Sequence, residues 1–157
     1  MANKYWLLKS EPDCFSFSDL MNAPDRTTCW DGVRNYQARN FLRDEIKVGD
    51  QVLYYHSGGP SPHIAGLAQV VREGYPDPTA FDPAADHFDP KSSPDNPTWY
   101  MVDIQAKEAL PRPLPLSELR EVAALQGMEL LQRSRLSVQP VTALEWQAIL
   151  KQAKRPR

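Results

Sequence analysis

Most of what would announce a reaction or a compartment is missing from this 157-residue sequence. It has two cysteines, Cys14 and Cys29, in no CxxC arrangement, so neither a disulfide framework nor a thiolate metal knuckle is indicated. Both are taken as free thiols without a role. No apolar run approaches the ~20 residues of a membrane helix, and no signal-peptide pattern follows Met1-Ala2-Asn3-Lys4, which points to a cytoplasmic protein without a membrane partner. Positive charge is not in surplus: 18 Lys and Arg against 20 Asp and Glu leave a formal charge of −2. Binding to nucleic acid through a basic coat is thereby excluded, and any such contact has to be local. The Gly-rich phosphate loop with its Lys, GxSxG and HExxH are all absent, which removes three large enzyme classes and leaves no catalytic residue assigned. His56, His63 and His87 are scattered. His87 does lie among Asp82, Asp86 and Asp89, but the EF-hand Gly and terminal Glu are missing, so the segment is taken as a solvated acidic loop, with no metal and no cofactor expected.

What is present is enough for one core. A chain of this length is the size of one domain, and its 15 prolines mark loops and connectors. Tyr5-Trp6-Leu7-Leu8 predicts a buried strand stopped before Pro12. Phe15 to Met21 predicts a short helix capped by Ser16 or Ser18, and Ala38, Phe41, Leu42 and Ile46 share one face of a helix spanning 35–46. Gln51 to His56 and Ile64 to Arg72 predict paired strands, Tyr75 to Pro97 one long loop, and Trp99 to Ala106 a further strand. Pro111, Pro113 and Pro115 predict an extended connector into a helix that Ser117 caps and that runs from Glu118 toward Gly127. Leu136 to Val141 is strand-like, and Thr142 with Glu145 forms a capping box for a last helix. The four basic residues between Lys151 and Arg157 are expected to fray as a tail. The sum is a single α+β domain with a mixed sheet or small barrel and peripheral helices.

Polar clusters fall at the ends of these strands, where loops on a rigid sheet carry function. Lys9-Ser10-Glu11 ends the first, His56-Ser57-Gly58 the second, and Arg133 to Ser137 leads into another. Trp30-Asp31-Gly32-Val33-Arg34-Asn35 stands at the start of a helix. Each residue has a plain role beside a ligand role. Trp30 either plugs the core or, half exposed in its turn, stacks on a planar ligand. Glu11 is a surface carboxylate, or accepts the amino hydrogens of a cytosine or adenine. Arg34 pairs with Asp31 or Glu11, or binds a phosphate together with the free backbone N–H groups there. Arg133 and Arg135, one residue apart, grip a phosphate or solvate the sheet. Asn35 is foremost a helix cap.

The stretches Tyr5-Trp6-Leu7-Leu8-Lys9-Ser10-Glu11-Pro12, Trp30 to Asn40, Gly49-Asp50 with Tyr54-Tyr55-His56-Ser57, and Ser134 to Val141 together resemble the EVE-domain family over about residues 4–149, in the form of a small, unfused bacterial-type member. The resemblance implies a PUA-like compact mixed β-barrel flanked by helices, related to YTH and ASCH domains. It further implies a reader of nucleic acid, DNA or RNA, that carries a modified base, a modified cytosine being favoured. Carried over position by position, the base pocket would consist of Ser10, Glu11, Pro12, Trp30, Asp31, Gly32, Val33, Asn35, Tyr55, His56, Ser57, Leu136 and Ser137. Arg34, Arg133 and Arg135 would hold flanking phosphates. With no effector domain fused, any downstream action would need a protein partner. The alternative implied by ASCH relatives is a hydrolase of modified bases or nucleosides, with Lys9 and Glu11 as base and acid. A protein-interaction scaffold is a third reading. The resemblance leaves open whether the 75–97 loop contributes.

Overall fold

Along Tyr5-Trp6-Leu7-Leu8 successive side chains enter two different apolar clusters: Trp6 and Leu8 one, Leu7 the other. A strand with no polar alternation is one buried on both faces, and the computed structural model shows why. It describes residues 3–155, apart from 12, 14, 133 and 134. The first strand, β1 (Tyr5–Ser10), lies inside a six-stranded sheet. The other strands are β2 (Thr27–Cys29), β3 (Gln51–His56), β4 (His63–Pro76), β5 (Tyr100–Pro115) and β6 (Val138–Val141). Their order is β2-β5-β4-β3-β1-β6, with β1 and β3 parallel and the other neighbours antiparallel. β4 and β5 are long and change register at several bulges, which bend the sheet.

One face is covered by α1 (Phe17–Asn22) and α2 (Tyr36–Asn40) with the turn that follows, burying Leu20, Ala38, Leu42 and Ile46 against Trp6, Val52 and Tyr54. The opposite face carries α3 (Leu116–Leu119), α4 (Glu129–Gln132) and α5 (Ala143–Ala153), which bury Leu119, Leu130, Trp146 and Ile149 against Leu7 and Leu53. Local chemistry sets the helix starts. Ser16 with Asp19 and Thr142 with Glu145 are reciprocal capping boxes. The 47–50 turn is tied down by buried Asp50, whose carboxylate accepts from the Lys4 and Lys47 amides and from Trp6 Nε1 at 2.9–3.0 Å.

Several expectations are corrected. The 35–46 segment is not one α-helix: after Asn40 it widens into a π turn over Phe41–Glu45, closed by Ile46 N–H on Phe41 O. β4 crosses so closely there that a Cβ on Gly74 would lie 2.5 Å from the Leu42 carbonyl. Pro111, Pro113 and Pro115 belong to β5 instead of forming a connector. Ser117 caps nothing, because α3 already starts at Leu116 and ends after four residues, with a 3-10 turn at Ala123–Leu125 in place of a continued helix. Glu118 is buried there and accepts from Arg112 Nη2 and Nη1 at 2.5 and 2.7 Å. β2 was not anticipated, and residues 151–153 of the expected tail are the last turn of α5.

Candidate functional site

Parallel pairing puts the ends of β1 and β3 side by side, with Ser10 opposite His56 and the Ser57 amide donating to Ser10 O at 3.0 Å. The chain arriving at β6 joins them, because Lys9 N–H donates to Ser137 O at 3.0 Å. Beyond β2, Trp30 N–H donates to Val102 O at 2.7 Å and so carries the Trp30–Arg34 turn toward the same end. Between these segments lies a cavity of about 460 Å³, within the ~300–1,000 Å³ usual for small-ligand sites. Its lining is Lys9, Ser10, Phe15, Thr28, Cys29, Trp30 to Arg34, His87 and Ser137.

Of the sequence candidates, the cavity therefore gathers Ser10, Trp30, Asp31, Gly32, Val33, Arg34 and Ser137. The others are placed differently. Glu11 is exposed and leans toward Gly58. Asn35 accepts the Ala38 amide at 2.9 Å as the α2 cap. Tyr55 is buried in the opposite core cluster, and Leu136 in the cluster that holds Trp30 and Tyr54. His56 is buried, with Nε2 accepting the Phe17 amide at 3.0 Å, while Ser57 is half-buried beside the end of β1. Arg135 is exposed. Pro12 and Arg133 lie outside the described residues, as do Cys14 and Ser134.

Trp30 is not the half-exposed ring expected of a turn: it is 8% exposed, packed edge-on to Tyr54 at 5.3 Å, and presents to the cavity only what the core leaves uncovered. Phe15 lines the cavity beside it, positioned by its own carbonyl, which accepts from Ser10 Oγ at 2.9 Å and from Tyr54 Oη at 2.6 Å. Burial pushes the Tyr54 phenol well up, so this donor stays protonated. Burial, and then the neighbouring Asp77 charge, raise the Asp31 carboxyl. Burial lowers the Lys9 ammonium.

Arg34 pairs with neither Asp31 nor Glu11. All five of its N–H groups are used: Nε and Nη2 on His87 O at 2.9 and 2.6 Å, Nη1 on Val33 O and Asp77 Oδ2 at 3.0 and 3.1 Å, and Nη2 also on Thr79 Oγ1 at 3.2 Å. A guanidinium so occupied has little left for a phosphate. Asp77 is fully buried. Burial works against its charge, but hydrogen bonds from Thr79, the Gly32 amide and Arg34 outweigh that and hold the carboxyl below the usual range. The loop expected from Tyr75 starts only after Pro76, because Tyr75 and Pro76 pair with Met101 and Tyr100 at the end of β4. Gly32, at φ +77°, is where this β4–β5 loop closes in, since a Cβ there would sit 2.7 Å from the His87 ring. The loop thus supplies a wall of the cavity. Among the described residues no three His, Cys, Asp or Glu side chains are grouped to hold a metal, and no helix is long and apolar enough to cross a membrane.

Phe15, Thr28, Cys29 and His87 line the cavity in addition to the residues expected from sequence. The stop of Phe15 before the Ser16 cap was the only local hint, whereas Thr28 and Cys29 enter through β2 and His87 through a latch 53 residues away from Arg34.

Comparison with known proteins returns one family over residues 4–152, described as the EVE domain. Thymocyte nuclear protein 1 of Danio rerio is 47% identical, over 92% of this chain and 70% of its own length. The crystal structure of human THYN1 protein in complex with 5-methylcytosine-containing DNA superposes with a TM-score of 0.95 at 43% identity, covering 99% of this chain and 100% of that one. A YTH domain from Zygosaccharomyces rouxii, 13% identical with a TM-score of 0.54 over 99% of this chain and 89% of that one, shares the fold.

Proposed function

The chain belongs to the EVE-domain family, and from that premise we propose that it is a non-catalytic reader which takes a modified base of DNA or RNA, a modified cytosine above all, into the cavity beside Trp30. The observation that carries this is the lining itself: aromatic surface from Trp30 and Phe15 meets one carboxylate, Asp31, and the hydroxyls of Ser10 and Ser137 at the end of the sheet. A nucleobase asks for that combination, a flat apolar wall and a few polar groups aimed at its edge. The complex of the 43% identical human protein with 5-methylcytosine-containing DNA supports it.

The roles shift from those expected. Asp31, inside the lining, takes over from Glu11 as the acceptor for exocyclic amino hydrogens. Arg34 braces the wall instead of holding a phosphate, which leaves exposed Arg135 and cavity-lining Lys9 nearest in kind to that task. The overall negative charge suits a reader whose affinity is concentrated in one pocket. Because base reading completes no reaction, its consequence passes through a partner protein. The hydrolase alternative needs Lys9 and Glu11 together, and only Lys9 lines the cavity.

Titration of the purified protein against matched DNA and RNA oligonucleotides, with cytosine or 5-methylcytosine at one position, tests the proposal. Tighter binding of a modified oligonucleotide is expected, with the affinity for modified and plain strands alike reduced in Asp31→Asn. Equal affinity for modified and plain strands overturns it.

A further inference from the structure

Among the described residues the aromatic side chains of Tyr36 and Phe88 are exposed, Tyr36 much the more so. Tyr36, the first residue of α2, is 62% exposed. It is nonetheless held. The Trp99 ring packs against it with centroids 5.0 Å apart and planes inclined by 32°. Trp99 is itself buried and anchored by Nε1 on Asp89 at 2.6 Å. The Arg39 guanidinium stands 5.2 Å from the centre of the Tyr36 ring and is fixed by Thr98 O at 2.8 Å and Asn40 Oδ1 at 2.9 Å. Trp99 also lies 5.4 Å from the Arg34 guanidinium carbon, and Arg34 lines the cavity. Contacts therefore run without a break from the exposed ring to the cavity wall. Along the chain Tyr36 is two residues from Arg34, at most about 7 Å.

A tyrosine in solvent gains nothing for the core, yet this one is already ordered against a second aromatic ring and beside a cation. Such a ring offers a flat face at little further entropic cost, and stacking on it accepts any base. The adjoining positive charge of Arg39 suits a polyanionic strand. We propose that Tyr36 is the stacking platform for the nucleotide next to the one that enters the cavity, an inference that rests on the reader function proposed above. It supplies affinity without sequence or modification preference, while the cavity supplies the preference.

The test uses oligonucleotides with 2-aminopurine placed on the 5′ or the 3′ side of a single 5-methylcytosine, and a matched pair with plain cytosine. Stacking on Tyr36 quenches the probe in one of the two placements. In Tyr36→Ala the complex stays bright and binding weakens about tenfold for modified and plain strands alike, so their ratio is unchanged. Tyr36→Phe keeps both quenching and affinity. Unchanged affinity and quenching in a Tyr36→Ala protein with parental thermal midpoint overturn the platform and leave the reader standing. Equal binding of modified and plain strands by the parent overturns the reader, and quenching then still decides the platform. Absence of binding to any strand overturns both.

Discussion

The two faces of the sheet are built from alternate residues of the same strands, yet they are covered differently. On the face of Leu7, Leu53 and Trp146, the helices α3, α4 and α5 bury mostly apolar side chains, the polar pair Arg112–Glu118 lies at its margin, and the space left between β4, β5 and α5 is lined mainly by aliphatic groups such as Leu67, Leu110 and Leu150. On the face of Trp6, Leu8 and Tyr54, beside the cover of α1 and α2, a cavity is walled by the ends of β1 and β2 and by loops: the Phe15 turn, the Trp30–Arg34 turn and the loop between β4 and β5. The closed face converts burial into stability. The open face gives up part of that burial for a concave site, whose loop walls are held in addition by polar contacts such as those of Arg34 and Asp77.

This contrast can be broken from either side. The largest expected effect is on the closed face: Leu119→Ala, at a fully buried position, should cost ~2–5 kcal/mol of unfolding free energy, seen in denaturant titration, with base preference of the folded protein unchanged. Next comes Asp77→Ala, which strands the Gly32 amide, Thr79 and the Arg34 guanidinium at once. A loss of ~1–3 kcal/mol in stability is expected, together with loss of the preference for modified strands, so that one titration series separates a wall residue from a core residue. Asp31→Asn should act on binding alone. It weakens modified and plain strands alike by an amount comparable to one good base contact, ~1–3 kcal/mol, because both bases carry the amino group it accepts from, and it leaves the thermal midpoint unchanged or raised, since the like charge of Asp77 is relieved.

The smallest effect is set by pH at His56, the last residue of β3. Burial, then His63, depress His56 in the fold, where its Nε2 has to be unprotonated to accept the Phe17 amide. The unfolded chain takes up a proton first. Stability is therefore complete above pH ~6.5, declines as pH falls from there toward the depressed native value, and is level below it. His56→Gln, which keeps an acceptor, should flatten that slope in thermal midpoints measured between pH 7.5 and about 5.

The elements most readable from the chain were those with local causes. The apolar run of β1, the β3–β4 pair, and the Thr142–Glu145 box each depend on residues near one another in sequence. β2 was not readable, because three residues become a strand only when Thr27–Cys29 find Gln105–Asp103 on β5. The prolines of β5 and the π turn at Phe41 depend likewise on what packs against them. The site divides in the same way. Ser10, Trp30 to Arg34 and Ser137 mark strand and helix ends and were found as such, though their meeting rests on the parallel β1–β3 register. For Arg34 the phosphate expectation has no local counter-signal, because the acceptors its guanidinium meets in the fold, Asp77 and the His87 carbonyl, lie 43 and 53 residues away. Glu11 and Asp31 are chemically alike, and only the direction of the chain after β1 decides which faces the cavity.

The Arg34 latch has a kinetic consequence. A wall tied by a fully occupied guanidinium to a buried carboxylate is already in place when a ligand arrives, so association need not wait for a loop to close. Mutations that loosen the latch should then shorten the lifetime of a complex and also slow its formation, whereas changes confined to the lining should act on lifetime alone.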